Sequence, residues 1–303
     1  MTGALSPSGP SVVGLGGGHG LAATLAAARR YAGAITAVVS VADDGGSSGR
    51  LREAFGMPAP GDLRRCLAAL AADPDGPWAR AFGWRFDRAE LEGHALGNLV
   101  LAGLTETLGS FTAAVEEAGR LLATCGLVLP ATDGPVRLTA TLGELRLVGQ
   151  TAIQELGGPV DLVAIEPADA SSPDGVARAI READQVVLGP GSLFTSVLAV
   201  TAAPAVRSAL EYRRQSGAGG VVFVCNLRPS KETVGFDVAA HLDALSRHGV
   251  RPDVILADTS GMELGEVSDG ADVVLASLAR PNGWSHDVAR LAEGLGGLVA
   301  HPR

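Results

Sequence analysis

Lysine is almost missing from this chain: Lys231 is the only one in 303 residues. The glycine cluster near the start is not followed by Lys-Ser or Lys-Thr, so a Walker-type nucleotide loop is excluded. Phosphate charge would have to be met by arginine, backbone amides or a metal. Cysteine is scarce as well. Cys66, Cys125 and Cys225 are odd in number and far apart, with no C-x-x-C pair, which argues against a disulfide framework and a structural zinc site. No zinc, haem or flavin is expected. Aromatic residues make up only 4% of the chain, which fits small-residue packing between helices and a parallel sheet. Excess basic charge is absent too. A formal net charge of −9 argues against a nucleic-acid partner, because such proteins need a basic surface to displace counterions. No run reaches the ~20 apolar residues that span a bilayer. Met1–Pro10 lacks the basic patch and apolar stretch of a secretory signal. The expectation is a cytoplasmic protein with no membrane partner, starting with a disordered Gly/Ser/Pro tail over residues 1–10.

What is present is an alternation. Short β-branched runs at Val12–Leu15, Ile35–Val41, Leu162–Ile165, Gln185–Leu188, Val221–Cys225, Val254–Ala257 and Val273–Ala276 read as strands. Ala/Leu-rich stretches between them read as helices, at Gly20–Tyr31, Leu63–Ala71, Leu99–Leu108, Thr112–Ala123, Gly175–Ala183, Ala205–Arg214, Val238–His248 and His286–Leu295. That pattern predicts an α/β fold: a Rossmann-like three-layer sandwich around a mostly parallel sheet. A single domain is expected over residues 11–303. Between about 127 and 150, Val136–Thr141 and Glu144–Val148 alternate apolar and polar side chains around Gly143, which predicts a β-hairpin excursion. Asp73–Trp84 reads as a mobile surface loop, or, with its Pro, Gly and Trp residues, as a segment packed as a lid.

The chemistry-bearing residues cluster where strands end. Ser11-Val12-Val13 runs into Gly14-Leu15-Gly16-Gly17-Gly18-His19-Gly20 and then an apolar helix. Glycines permit a sharp bend and close approach of a ligand, and a helix N-terminus offers N–H groups and positive dipole to a phosphate. The spacing departs from G-x-G-x-x-G, with His19 at the sixth position, which weakens a case for NAD. The second strand ends in Asp43-Asp44-Gly45-Gly46-Ser47-Ser48-Gly49-Arg50. Asp43 or Asp44 can hold a ribose hydroxyl, or ligate Mg²⁺ or Mn²⁺ bridging to a diphosphate, or cap a turn. Asp62 can cap the next helix or join the same metal, with Arg64 reaching the anion. Asn98 reads as a helix N-cap. Gly189-Pro190-Gly191-Ser192, with Thr195 and Ser196 one turn on, is a second strand-to-helix corner suited to an anion or base. Asn226 follows the next strand. Cys66 lies on an apolar stripe and reads as core.

Together these segments resemble the CofD-like family, in particular its YvcK branch of gluconeogenesis-factor proteins. Gly16–Gly20, Asp43–Arg50, Pro60–Arg64, Leu96–Asn98, Leu188–Ser196 and Cys225–Leu227 carry the resemblance. It implies a Rossmann-like domain that binds a UDP-sugar, UDP-N-acetylglucosamine or UDP-glucose, and links carbon metabolism to cell-wall synthesis and cell shape. It implies an unidentified protein partner and leaves a homo-oligomer open. The sister branch implies an alternative, a metal-dependent transferase with a nucleotide diphosphate donor, in which Asp43, Asp44 and Asp62 would hold Mg or Mn. No nucleophile–base pair is legible, so catalysis is left open. His19 stands where the family usually has threonine. Ser285-His286-Asp287-Val288 lacks the arginine and threonine common around that His-Asp pair.

Overall fold

The computed structural model describes residues 5–267 and 270–300. Strand β1 (Ser11–Gly16) turns into helix α1 (Gly18–Ala28) and returns as β2 (Ala34–Val39). Five helices follow: α2 (Gly46–Phe55), α3 (Gly61–Leu70), α4 (Pro77–Gly83), α5 (Leu96–Leu108) and α6 (Phe111–Leu121). After β3 (Leu127–Pro130) come β4 (Arg137–Leu142), β5 (Leu145–Val148), α7 (Gln150–Leu156) and β6 (Leu162–Glu166). The rest alternates through α8 (Gly175–Glu182), β7 (Gln185–Leu188), a π-helical turn at Leu193–Val197, α9 (Leu198–Thr201) and α10 (Pro204–Ser216). It ends with β8 (Val221–Val224), α11 (Val238–Arg247), β9 (Val254–Ala257), β10 (Asp272–Leu275) and α12 (Val288–Ala300).

Seven strands form one parallel sheet in the order β10-β9-β8-β7-β1-β2-β3. Runs such as Gln185-Val-Val-Leu188 and Val221-Val-Phe-Val224 are buried at every position, as strands covered by helices on both faces must be. The chain works outward from β1 to β3, then returns to lay β7 against the other side of β1. Between β1 and β7 the order reverses, and such a switch point opens a crevice at the strands' C-terminal ends. Register brings those ends level: Leu15 pairs with Val38 of β2 and with Leu188 of β7. The turns after β1, β2 and β7 therefore leave from one edge.

Four segments differ from the sequence reading. Leu127–Pro130 is the edge strand of the main sheet, not part of the hairpin excursion. Leu162–Glu166, expected in the parallel sheet, instead pairs antiparallel with β4, making a second sheet of three strands, β5-β4-β6. Its alternating burial, unlike that of β7, marks a strand with one open face. Asp73–Trp84, expected as a mobile loop, contains α4, whose Phe82 is fully buried against α3 and α5. Residues 5–10 are anchored: Ser6 N–H donates to the Ala32 carbonyl, and Gly33 N–H to that of Pro10. The first four residues of the expected tail lie outside the described residues. Among the described residues no single helix is long and apolar enough to cross a membrane.

Candidate functional site

The bend after β1 is held from two sides. Gly16 (φ 151°) and Gly18 (φ 67°) occupy backbone regions that suit glycine. A Cβ on Gly17 would lie 2.4 Å from Asp62 Oδ2, and one on Gly20 would lie 2.0 Å from the Pro190 carbonyl oxygen. The first turn of α1 is thus wedged between α3 and the corner after β7. Gly16 itself ends β1 and accepts the Ser40 N–H.

The Asp43–Arg50 segment divides its side chains. Asp43 accepts the Gly45 N–H at 2.9 Å and faces the crevice. Asp44 turns to α7, accepting the N–H and the hydroxyl of Thr151 at 2.9 and 2.8 Å. Gly45 and Gly46 open α2. Ser47 accepts from Asn98 Nδ2 at 3.0 Å and contacts His94 Nδ1 at 3.0 Å, while Ser48 is buried against Gly61. Arg50 donates to the Glu92 carbonyl. Arg64 is buried, donating Nε to Asn98 Oδ1 at 3.0 Å and Nη1 to the Phe82 carbonyl. Asn98 does not cap α5, whose N-cap is Ala95; it joins Arg64 to Ser47 instead. These residues build the wall behind the crevice.

Asp62 does not cap α3, whose N-cap is Pro60. Its carboxylate accepts the Gly18 N–H and pairs with Arg65 at 2.5 Å, with its side chain only 13% exposed. Burial pushes the carboxyl above the ordinary carboxylate range and nearby Asp43 adds to this, against the pull of Arg65. His19 is held below its ordinary value by partial burial and by Arg65, Arg64 and Arg85, which favours the neutral imidazole. The Cys66 thiol is fully buried beneath this group and pushed well up by burial, so it is core.

At the corner after β7, Asn226 grips the Gly191 peptide from both ends. Its Oδ1 accepts the Gly191 N–H at 3.2 Å and its Nδ2 donates to the Gly191 carbonyl at 2.9 Å. Gly189 (φ 74°) accepts the Thr24 hydroxyl and Gly191 has φ 156°. Thr195 lies behind the corner, where buried Glu232 takes its hydroxyl and the N–H groups of Phe194 and Thr195, and Gln154 donates to Thr195 Oγ1. Glu232 thereby serves the first N–H groups of the π-helical turn, the ones a helix cannot satisfy internally.

Two chambers open between these elements. One, of about 390 Å³, is polar and is lined by Gly17, Gly18, Asp43, Asp62, Arg65, Gln150, Gln154 and Ser196. The other, of about 510 Å³, is lined by Asn226, Arg228, Ser230, Arg280, Trp284 and His286. His19, Gly20, Gly191 and Ser192 belong to both, so the chambers meet between the α1 and β7 turns. The structure thus brings the glycine bend, Asp43, Asp62, the β7 corner and Asn226 into one crevice. It sets Asp44, Ser47, Arg50, Arg64, Asn98 and Thr195 into the surrounding framework. Gln150, Gln154, Glu232, Arg228 and Trp284 were not expected at the site from sequence, nor was Arg65, which stands where relatives of the resembled family commonly have asparagine. Arg65 adjoins an expected site residue; the glutamines carry no local pattern, since only the placement of α7 brings them in.

Asp43, Asp44 and Asp62 do not converge as a trio, because Asp44 is committed to Thr151. Among the described residues no group of three or more His, Cys, Asp or Glu side chains is placed to hold a metal ion. Mg²⁺ commonly takes one or two carboxylates and completes its shell with phosphate and water. Asp43 and Asp62 line one chamber, so two of the three expected carboxylates are placed together.

Residues 12–290 match the family described as 2-phospho-L-lactate transferase CofD. A protein of Mycobacterium tuberculosis, provisionally named a gluconeogenesis factor, is 42% identical over 95% of this chain and 90% of its own. The gluconeogenesis factor of Halalkalibacterium halodurans is 38% identical over 81% of this chain and 77% of its own. The crystal structure of an upf0052 family member from Bacillus halodurans superposes with a TM-score of 0.87 at 31% identity, covering 95% of this chain and 99% of that one. The switch-point crevice, the shared architecture and the near-full-length similarity lead to one conclusion: this chain belongs to the CofD family, among its gluconeogenesis-factor members.

Proposed function

We propose that the crevice binds a UDP-sugar, UDP-N-acetylglucosamine or UDP-glucose, and that its occupancy is passed to a protein partner linking carbon metabolism to cell-wall synthesis and cell shape. The observation that carries this reading is the meeting of two unlike chambers across a glycine-lined waist. Carboxylates and side-chain amides accept and donate hydrogen bonds to hydroxyls, so Asp43, Asp62, Gln150 and Gln154 suit a sugar. The first turn of α1 and the Gly191–Ser192 corner suit the diphosphate, with Arg65 as a cation lining the polar chamber and Asp43 and Asp62 able to share a divalent ion carried by the ligand. A regulatory role is favoured over turnover because, among the described residues, Cys66 is core and the histidine that contacts a hydroxyl, His94 on Ser47, belongs to the wall and lines neither chamber.

A ligand that binds only the folded state stabilises it by mass action, by ~2.7 kcal/mol at about a hundred times Kd. UDP-sugars are therefore expected to raise Tm in a thermal-shift panel run with and without Mg²⁺ or Mn²⁺. A shift with NAD or GTP and none with any UDP-sugar rejects the reading. The transferase alternative rests on Asp43 and Asp62 sharing the polar chamber. Metal-dependent cleavage of a nucleotide diphosphate donor that is lost in Asp43→Asn would establish it instead.

A further inference from the structure

Trp284 is the most exposed of the described large apolar residues, at 77%, and it sits in a hydrogen-bonded turn. Its own N–H donates to Asn282 Oδ1 at 3.0 Å, and the turn around it is closed by Arg280 N–H donating to Ser285 and Gly283 N–H donating to Arg280. The Arg228 guanidinium lies over the indole, 5.1 Å from its centroid, and its Nε donates to the Gly283 carbonyl at 3.0 Å. Gly283 has φ 69°, and a Cβ there would come within 2.9 Å of Arg228 Nη2. The pair joins the loop after β8 to the loop before α12, across the mouth of the larger chamber. Water is a poor partner for an indole so displayed, and an indole already backed on one side by a cation offers its remaining exposed surface to a flat ring. A second observation belongs to the same chamber. His286 also lines it, and its ring Nε2 is buried with no hydrogen-bond partner.

The geometry points to Trp284 and Arg228 as the platform on which the base of the bound nucleotide stacks. This assignment rests on the proposed nucleotide-sugar reading and orients the ligand within it. The base occupies the Trp284 chamber, the diphosphate crosses the waist at His19, Gly20, Gly191 and Ser192, and the sugar enters the chamber of Asp43 and Asp62.

The test is calorimetric titration of the full chain with UDP-N-acetylglucosamine, UDP-glucose, UDP, ADP and inorganic pyrophosphate, with intrinsic fluorescence followed in parallel. Removing a stacking partner from a base costs about tenfold or more in affinity. Trp284→Ala is expected to lose that much for every nucleotide and nothing for pyrophosphate. Trp284→Phe is expected to keep affinity within about threefold while abolishing the fluorescence change, since Trp78 and Trp84 stand on and beside α4, away from the crevice. Arg228→Ala is expected to weaken nucleotides alone. Because Trp284 is exposed, unchanged melting curves are expected to show that all three variants fold. Nucleotide binding that is identical in wild type and Trp284→Ala overturns the platform and spares the proposed function. A wild-type protein that binds none of the nucleotides overturns both.

Discussion

At the scale of single residues, Gly20 and Asp62 hold opposite sides of the same turn. A methyl group on Gly20 has no room beside the Pro190 carbonyl, so Gly20→Ala must push α1 away from the β7 corner. Overpacking of this kind costs roughly 1–3 kcal/mol, to be read from the urea midpoint, and ligand affinity is expected to fall with it. Asp62 has a different balance. Because burial raises its carboxyl in the folded state, ionisation weakens the fold. The penalty is absent below the ordinary value of 3.8 and grows as pH rises toward the folded value. Asp62→Asn is therefore expected to melt above wild type at pH 7, by on the order of 2 °C, with the gap closing below about pH 4. A variant that melts lower at pH 7 would show that the Arg65 pair and the Gly18 N–H outweigh desolvation. Asn226→Ala leaves both ends of the Gly191 peptide without their partner, a loss of about 1–3 kcal/mol measurable by the same unfolding assay.

At the scale of elements, the small antiparallel sheet matters because it carries α7, and α7 brings Gln150 and Gln154 to the crevice. This sheet is tied to the main body by α11. His248 donates Nδ1–H to the Ala244 carbonyl at 2.7 Å and accepts the Val163 N–H of β6 at Nε2 at 2.9 Å. Only the neutral ring can do both. Burial first, then Arg247 and Arg207, hold His248 below its ordinary 6.5. Its contribution is full above 6.5 and is lost as pH falls toward and through the folded value. Amide exchange at Val163, corrected for the chemical rate, is expected to accelerate several-fold between pH 7.5 and 5. His248→Gln, which keeps an acceptor, is expected to flatten that dependence; an equal acceleration in the variant would place the acid-sensitive contact elsewhere.

At the scale of the whole molecule, the crevice is built from segments as far apart in sequence as Gly17 and His286, and a ligand there bridges both halves of the sheet. Hydrogen exchange with saturating UDP-sugar is expected to slow together at residues 17–20, 150–154 and 189–192. The groove of about 1040 Å³ at the opposite end of the sheet, lined by Ile35, Val115 and Leu127, should be unaffected. Protection confined to that groove would move the site to the wrong end of the strands.

Much of this was legible before any coordinates. Strand-to-glycine-to-helix junctions announce themselves locally, because a bend needs positive φ and a parallel strand needs apolar residues on both faces. The α/β class, β1, β7, β8 and β9, and the glycine bends follow from that. Leu127–Pro130 and Leu162–Glu166 were misplaced because short apolar runs state that a segment is extended, not which neighbour it pairs with. The sequence likewise marked Asp43, Asp44 and Asp62 as equals. Only the tertiary structure sends Asp44 to Thr151, turns Arg64 and Asn98 inward, and draws in Gln150 and Gln154 on α7 and Trp284 from a distant loop. Side-chain direction and long-range proximity are settled by packing, and packing has no signature in a local run of residues.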